Sequence, residues 1–340
     1  MAQTQADRRK ERLDRGIKVR TDGVYAIGGA KEMAYLLAPR LLFIGGLLLL
    51  PLLLTKVPYW QKVLAITMLY SLLAIGFDFL SNYVGLVSLG GGFFIGVGAY
   101  TAALLNSELG LPPIVTIPLA TVFGGMLCTL LLWPCLPLRG VYFSIVSLMY
   151  PLLAARVIEA MDVFGGTDGV LGVEGLPNRW VEMYGLIIAV LVVLFALRRF
   201  VNEDVGLVFR GLKDNDQAVK ASGINITTFK ALGVFIAASF GCMGGAFLCH
   251  IYMWAGLSQF ALDFSIIPIA ATVVGGGGTL VGPVLGCLIL VPISEVLRDF
   301  GTLRIAVYAM ILTGFIVFKS EGLMPYGTRK YEQLEHWVEI

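Results

Sequence analysis

The sequence predicts an all-α polytopic membrane protein of about ten crossings, some of them broken helices, and three observations carry that prediction. The 340 residues are 57% hydrophobic and only 14% charged, outside the range of an ordinary soluble domain. The ionisable residues gather in the first 40 positions, in a polar island from Arg198 to Lys230 and in the last 22, and are sparse elsewhere. Between those clusters lie apolar runs long enough to cross roughly 30 Å of hydrocarbon.

Taken in order, residues 1–34 are polar and basic (Arg8, Arg9, Lys10, Arg12, Arg15, Lys18, Arg20, Lys31) and read as a cytoplasmic tail that orients the first helix. No signal peptide is expected, because the first apolar run begins only near Tyr35. The membrane domain then covers 35–318, and 319–340 form a second polar tail. The first span runs from Tyr35 to Thr55 across Gly45, Gly46 and Pro51, and the second from Tyr59 to Leu80. The stretch after it, 85–100, holds Gly85, Gly90, Gly91, Gly92, Gly96 and Gly98, too many for a continuous helix judged by propensity. A break at membrane depth is tolerated where protein or a water-filled cavity covers the freed backbone groups. Two readings stand together here: a broken helix lining a path, and small residues that let helices pack closely.

The third span ends near Asn106 and the fourth covers Ile114 to Leu138. The fifth, Val141 to Ala160, carries Arg156 and Glu159 on one helical face, where an ion pair near a membrane surface is the cheaper reading. The segment 161–183 holds Gly165-Gly166-Thr167-Asp168-Gly169, a structured turn outside the membrane. A short sixth span, Tyr184 to Leu197, delivers the chain to the island. There Asp214 reads as a helix cap with Gln217 three residues on, and Gly223 as the stop. The helix between, Asn215 to Ser222, is eight residues, roughly 12 Å long, and so short a helix must rest on something. Thr227 or Thr228 is placed to cap the seventh span, Phe229 to Met253. Leu262 to Gly278 is a second irregular segment, with Pro268 inside and Gly275 to Gly278 at its end. The eighth full span opens at Gly282-Pro283, and Ile305 to Phe318 returns.

With 262–278 counted as a crossing, both tails, Arg139 and the island share one side. All but six of the 25 Lys and Arg then lie there, the six being Lys56, Lys62, Arg156, Arg179, Arg298 and Arg304. The positive-inside rule makes that side cytoplasmic.

The chemistry that is missing narrows the function. There is no GxxxxGK[ST] loop for a nucleotide: Gly275 to Gly278 is followed by Thr-Leu-Val. No HExxH, GxSxG or CxxC occurs, which argues against a membrane enzyme. The five cysteines lie in apolar segments and read as structural thiols. His250, at a span end, reads as interfacial. Asp78, Asp263 and Glu295 look isolated, unlike the buried acid chains of a proton-coupled carrier. The chain either conducts passively, as a stand-alone carrier or channel, or is driven by a partner.

Four stretches resemble one family. Ser88-Leu89-Gly90 through Gly96, Gly98, Ala99, Tyr100 and Thr101 is similar to the SLG…GxGAYT signature of LivM-type permeases of branched-chain amino acid ABC importers. Gly165-Gly166-Thr167-Asp168-Gly169 resembles that family's GGT[ND]G loop. Arg210 with Asp214-Asn215-Asp216 and Ala218 to Gly223 resembles its cytoplasmic loop, and Gly277-Gly278-Thr279 through Pro283 its GxGTxxGP segment. The four fall in order over about residues 65–320. Two departures stand out: Gly91 occupies the place after Ser-Leu-Gly where the family commonly has His or Gln, and the basic N-terminal tail is longer than expected.

The resemblance implies a fold related to the vitamin B12 importer permease, about ten helices around a central path. It implies a LivH-like second permease, two ABC ATPase subunits that use the ATP, an extracytoplasmic substrate-binding protein and a surrounding bilayer, with no cofactor in this chain and no nucleic acid. The residues it assigns to ATPase coupling are Arg210, Asp214, Asn215, Asp216, Gln217, Ala218, Lys220, Ala221 and Gly223. Ser88, Gly90, Gly91, Gly92, Gly96, Gly98, Tyr100 and Thr101, with Gly277, Gly278 and Thr279, are the expected translocation surface. Gly165, Gly166, Thr167 and Asp168 are the expected binding-protein contact. Urea, amide and other amino acid permeases resemble it too.

Overall fold

The computed structural model describes residues 30–138, 140–300 and 322–327, with isolated positions from 307 to 317. The basic tail before residue 30, Arg139, most of the span expected at Ile305–Phe318 and the end of the second tail lie outside the described residues.

The described chain is almost wholly helical. In order come α1 (Ala30–Leu53), α2 (Pro58–Phe79), α3 (Gly91–Leu109), α4 (Pro113–Leu132), α5 (Val141–Met161), α6 (Arg179–Asn202), α7 (Asp204–Ala221), α8 (Ile226–Tyr252), α9 (Asp263–Gly275) and α10 (Gly282–Val296). Two strands of two residues, β1 (Val170–Leu171) and β2 (Trp254–Ala255), pair antiparallel. Among the described residues six helical stretches are long and apolar enough to cross a membrane: 58–84, 113–135, 141–161, 179–202, 226–252 and 257–275. Gly282–Val296 is apolar but shorter.

α2 is the axis. Its residues are apolar all round, the pattern of a helix with no solvent face, and from Val63 to Phe79 nearly every side chain is buried. Helices α6, α8, α9 and α10 pack against it. Leu69, Tyr70, Leu73 and Ala74 of α2 form one cluster with Ala270, Ala271, Val274, Cys287, Leu290 and Val291 of the last two helices. Chain direction follows from the contacts. Gly76 faces Ala237 and Gly244 faces Leu69, so α8 runs antiparallel to α2. Gly241 meets Phe94 and Gly245 meets Ile95 and Ala99, so α3 runs parallel to α8. Gly275 against Gly282 and Ala271 against Gly286 make α9 and α10 an antiparallel hairpin.

The glycine-rich stretch divides in two. α2 ends in a single wide turn, Leu80–Val84, closed by Gly85 at φ +80°, a backbone state open to glycine without penalty. Residues 85–90 are non-helical, as expected. The helix expectation failed beyond that point: Gly91 to Leu109 is continuous, despite Gly91, Gly92, Gly96 and Gly98. Close packing outweighs propensity there. A Cβ at Gly98 would collide with the Cys242 backbone, and one at Gly96 with the Phe260 ring.

The bounds of two helices also move, and one expected ion pair is present. α6 reaches from Arg179 to Asn202 rather than Tyr184 to Leu197, because charged residues at a span's ends can stay helical while their heads leave the hydrocarbon. α8 is capped by Asn225, not by Thr227 or Thr228: its Oδ1 accepts from both of their backbone N–H groups at 3.1 and 3.4 Å. Arg156 and Glu159 pair at 2.6 Å on the surface.

Gly98→Val tests the packing. An overfilled helix contact costs about 1–3 kcal/mol, so this variant should melt earlier in detergent by light scattering, whereas Gly45→Ala, with nothing within 4 Å of the added carbon, should melt like the parent.

Candidate functional site

At one end of the bundle α7 lies across the tips of α2, α6 and α8. Phe209 anchors it: the ring is fully buried, 5.5 Å from Phe79, 5.9 Å from Phe200 and 6.0 Å from Phe229. The helix is in two arms, because Asn215 leaves helical geometry at φ −157°, ψ 97°. Its Oδ1 accepts from the backbone N–H of Gln217 at 3.0 Å and of Ala218 at 3.2 Å. The cap is therefore Asn215 rather than Asp214, and the second arm is Asp216–Ala221, shorter than the expected Asn215–Ser222. An Asx side chain caps only from the residue whose own backbone is extended, and that is Asn215. Gly223 ends the arm at φ +81°. Arg210, Asp214, Asn215, Gln217, Ala218, Lys220, Ala221 and Gly223 are exposed. Asp216 turns inward and meets the buried Lys230 of α8, Oδ2 to Nζ 3.8 Å. The support that so short a helix needs comes from the first arm and from α8.

Inside the bundle, Ser88 to Gly92 run between α5 and the start of α9. Ser147 Oγ accepts from the Leu89 N–H at 2.9 Å, Ser144 donates to the Val87 carbonyl at 2.7 Å, and Ser265 Oγ accepts from the Gly92 N–H at 3.0 Å. A Cβ at Gly91 would strike the Phe264 carbonyl. The crevice between Ser88, Gly91, Phe94 and Ser265 and the α2 residues Leu73 and Gly76 holds about 20 Å³, room for a single water. Tyr100 is buried, stacked on Phe260 at 5.7 Å, and its hydroxyl lacks a partner among the described residues. Thr101 bonds back to the Val97 carbonyl within its own helix.

Gly277, Gly278 and Thr279 do not join that crevice. They form the turn between α9 and α10 at the α7 end. Asp78, expected to be isolated, holds this turn: its carboxylate is fully buried and accepts from the Gly278 N–H at 2.6 Å, the Leu280 N–H at 3.1 Å and Asn82 Nδ2 at 2.7 Å. Tyr83 donates to the Gly278 carbonyl at 2.8 Å. Thr279 Oγ1 donates to the Gly276 carbonyl and accepts from the Gly282 N–H. The one sequence signal was Asp78 and Asn82 four apart, on one helical face. Glu295 is not isolated either; it accepts from Arg298 at 2.9 Å and from the Tyr59 hydroxyl.

At the opposite end, Gly165, Gly166, Thr167 and Asp168 form a tight turn in which the N–H groups of Asp168 and Gly169 both reach the Gly165 carbonyl at 3.1 Å. It is stapled down: Trp254 Nε1 donates to the Asp168 carbonyl at 2.9 Å, and β1 pairs with β2 directly after. The side chains of Thr167 and Asp168 face outward. His250 departs from its interfacial reading. It is fully buried, with Nδ1 2.7 Å from the Glu174 carbonyl and Nε2 2.6 Å from Thr116 Oγ1. Since a carbonyl only accepts, Nδ1 carries the proton, and in the neutral ring Nε2 accepts from the threonine, whose hydroxyl also lies 3.2 Å from the Pro113 carbonyl. Among the described residues no cluster of His, Cys, Asp or Glu could hold a metal.

A bundle of apolar helices, with one non-helical break in its interior, a glycine turn at its α7 end and an exposed helix lying across that end, defines a multi-pass membrane protein built like a transporter. The sequence places it further: the chain belongs to the family described as "Branched-chain amino acid transport system / permease component", which matches residues 59–319. It is 26% identical, over 77% of its length and 69% of the relative's, to the high-affinity branched-chain amino acid transport system permease protein LivM of Salmonella typhimurium. It is 25% identical over the same shares to the Escherichia coli protein of that name. A probable branched-chain amino acid transport permease protein LivM of Methanocaldococcus jannaschii is 25% identical over 69% of this chain and 76% of its own. No solved structure matches.

Thr116→Val would leave His250 Nε2 buried and unsatisfied, at about 1–3 kcal/mol. The expected result is a lower melting temperature in detergent that Thr116→Ser restores.

Proposed function

We propose that this chain is the membrane-spanning permease subunit of an ABC importer that moves branched-chain amino acids inward, driven by separate ATPase subunits. The observation that carries the proposal is the family match over 59–319, the membrane domain after its first span. The chain sits in the cytoplasmic (inner) membrane with ten crossings: α1 to α6, α8, α9, α10 and the apolar segment 305–318. The antiparallel course of α2 against α3 and of α9 against α10 supports that count, and the lysine and arginine distribution supports placing both tails and α7 in the cytoplasm.

Each surface then has a role. The exposed arm Asp216–Ala221, with Arg210 and Asp214 beside it, docks on an ATPase; two ATPases serve this chain and a LivH-like second permease. The turn Gly165–Asp168 at the opposite end receives the extracytoplasmic binding protein. Substrate passes along Ser88–Thr101 and the start of α9, a route held closed where the crevice narrows to one water. ATP is used by the partner subunits, and this chain carries no cofactor and meets no nucleic acid.

Purification of the tagged chain from its native membrane should bring down two ATPases and a homologous permease. Proteoliposomes of that complex should take up leucine only with internal ATP and external binding protein. Uptake by the chain alone, without ATP, would sink the proposal. Asn215→Ala removes the cap of the docking arm, about 1 kcal/mol, and should weaken ATPase capture severalfold in the same pull-down with the chain itself still monodisperse.

A further inference from the structure

The turn between α9 and α10 is tied to the α7 end of the bundle by a set of contacts that family membership does not explain. Gly85 lies against α7 so closely that an added Cβ would stand 3.0 Å from the Lys213 Cα. Gly85 ends the wide turn Leu80–Val84, and that turn carries Asn82 and Tyr83. Asn82 and Tyr83 converge with Asp78 on the glycine turn, where Gly278 is gripped at both its N–H and its carbonyl. Leu280 stands in the left-handed region at φ +60°, a conformation costly for a leucine, and its N–H is held by the same carboxylate. From there α9 runs inward as a helix to Ser265, whose hydroxyl holds the Gly92 N–H beside the narrow crevice. One continuous line of packed and hydrogen-bonded groups thus joins α7 to the crevice, and Asp78 is its single buried charge.

We propose that Asp78 is a positioning residue for transport: its carboxylate makes the α9–α10 turn move with the tip of α2, so that displacement of α7 reaches the crevice at Ser88–Gly92. This rests on the reading of α7 as the ATPase contact. The carboxylate suits the task because it accepts from two backbone N–H groups through both oxygens, at 2.6 and 3.1 Å, a pair of charge-assisted bonds that a neutral amide cannot reproduce. An asparagine here would turn an NH₂ toward one of those N–H groups.

The test uses the complete importer in proteoliposomes, with ATP hydrolysis and leucine uptake measured on the same preparation. Asp78→Asn should leave the complex assembled and hydrolysing ATP while uptake per ATP falls at least tenfold. Tyr83→Phe and Asn82→Ala, each removing one bond on the rim of the turn, should lower the same ratio by smaller factors, about two- to fivefold. Thr116→Val, in the distant His250 network, should lower hydrolysis and uptake together and leave their ratio unchanged. An assembled Asp78→Asn complex with the parent's ratio overturns the proposal. Should that variant fail to assemble, unchanged ratios in both Tyr83→Phe and Asn82→Ala overturn it equally. A parent complex with no ATP-dependent uptake would instead refute the importer reading, so the two failures are told apart.

Discussion

A backbone amide or carbonyl stripped of water in a bilayer costs several kcal/mol if nothing else bonds to it, and among the described residues that constraint shapes the break inside the bundle and, at the α7 end, the partly covered turn between α9 and α10. Between Val87 and Gly92 the freed groups are met by four serines, Ser88, Ser144, Ser147 and Ser265, from three parts of the chain. Between Gly276 and Gly282 they are met by Asp78, Tyr83 and Thr279. Neither break survives without partners brought from elsewhere, so each is a point at which distant elements are fixed to one another. The α9–α10 hairpin is fastened at one end by a buried carboxylate and near the other by a serine hydroxyl.

The same economy governs the helix contacts. In a bilayer the lipid tails are as apolar as leucine, so helices associate by close fit. Gly98 against Cys242, Gly125 against Ser239 and Gly245 against Ile95 let α3, α4 and α8 approach until backbone touches side chain or backbone. This three-helix wedge leaves α2 enclosed and the crevice beside it nearly filled. Much of α4 and α5 stays exposed, including Phe123, Met126, Tyr142, Ile145 and Leu153, which is where apolar surface is left for lipid or a second subunit.

The charged groups divide by cost. Arg156 with Glu159 and Arg199 with Glu203 are exposed local pairs, worth little to stability. Asp216 with Lys230 is largely enclosed and joins two elements, so removal of either partner would strand the other. Asp78 is held by hydrogen bonds from the N–H groups of Gly278, Leu280 and Asn82.

The amino-acid sequence was enough to show the class, the order of the helical segments between residues 58 and 296, the non-helical stretch that opens at Gly85, the glycine turn after Gly275, the tight turn at Gly165–Asp168 and the polar helix with its stop at Gly223. These rest on composition, on glycine and proline placement and on short capping patterns, all of them local. What the tertiary structure decided are the choices that depend on a neighbour. Residues 91–109 stay helical because Cys242 and Phe260 occupy the space that a side chain would take. The caps fall on Asn215 and Asn225 because the chain direction leaves their side chains over the open N–H groups. His250 and Asp78 look solitary in the sequence because their partners lie 134 and 200 residues away. A one-dimensional reading sees a residue's own preferences; it does not see which remote backbone group will arrive beside it.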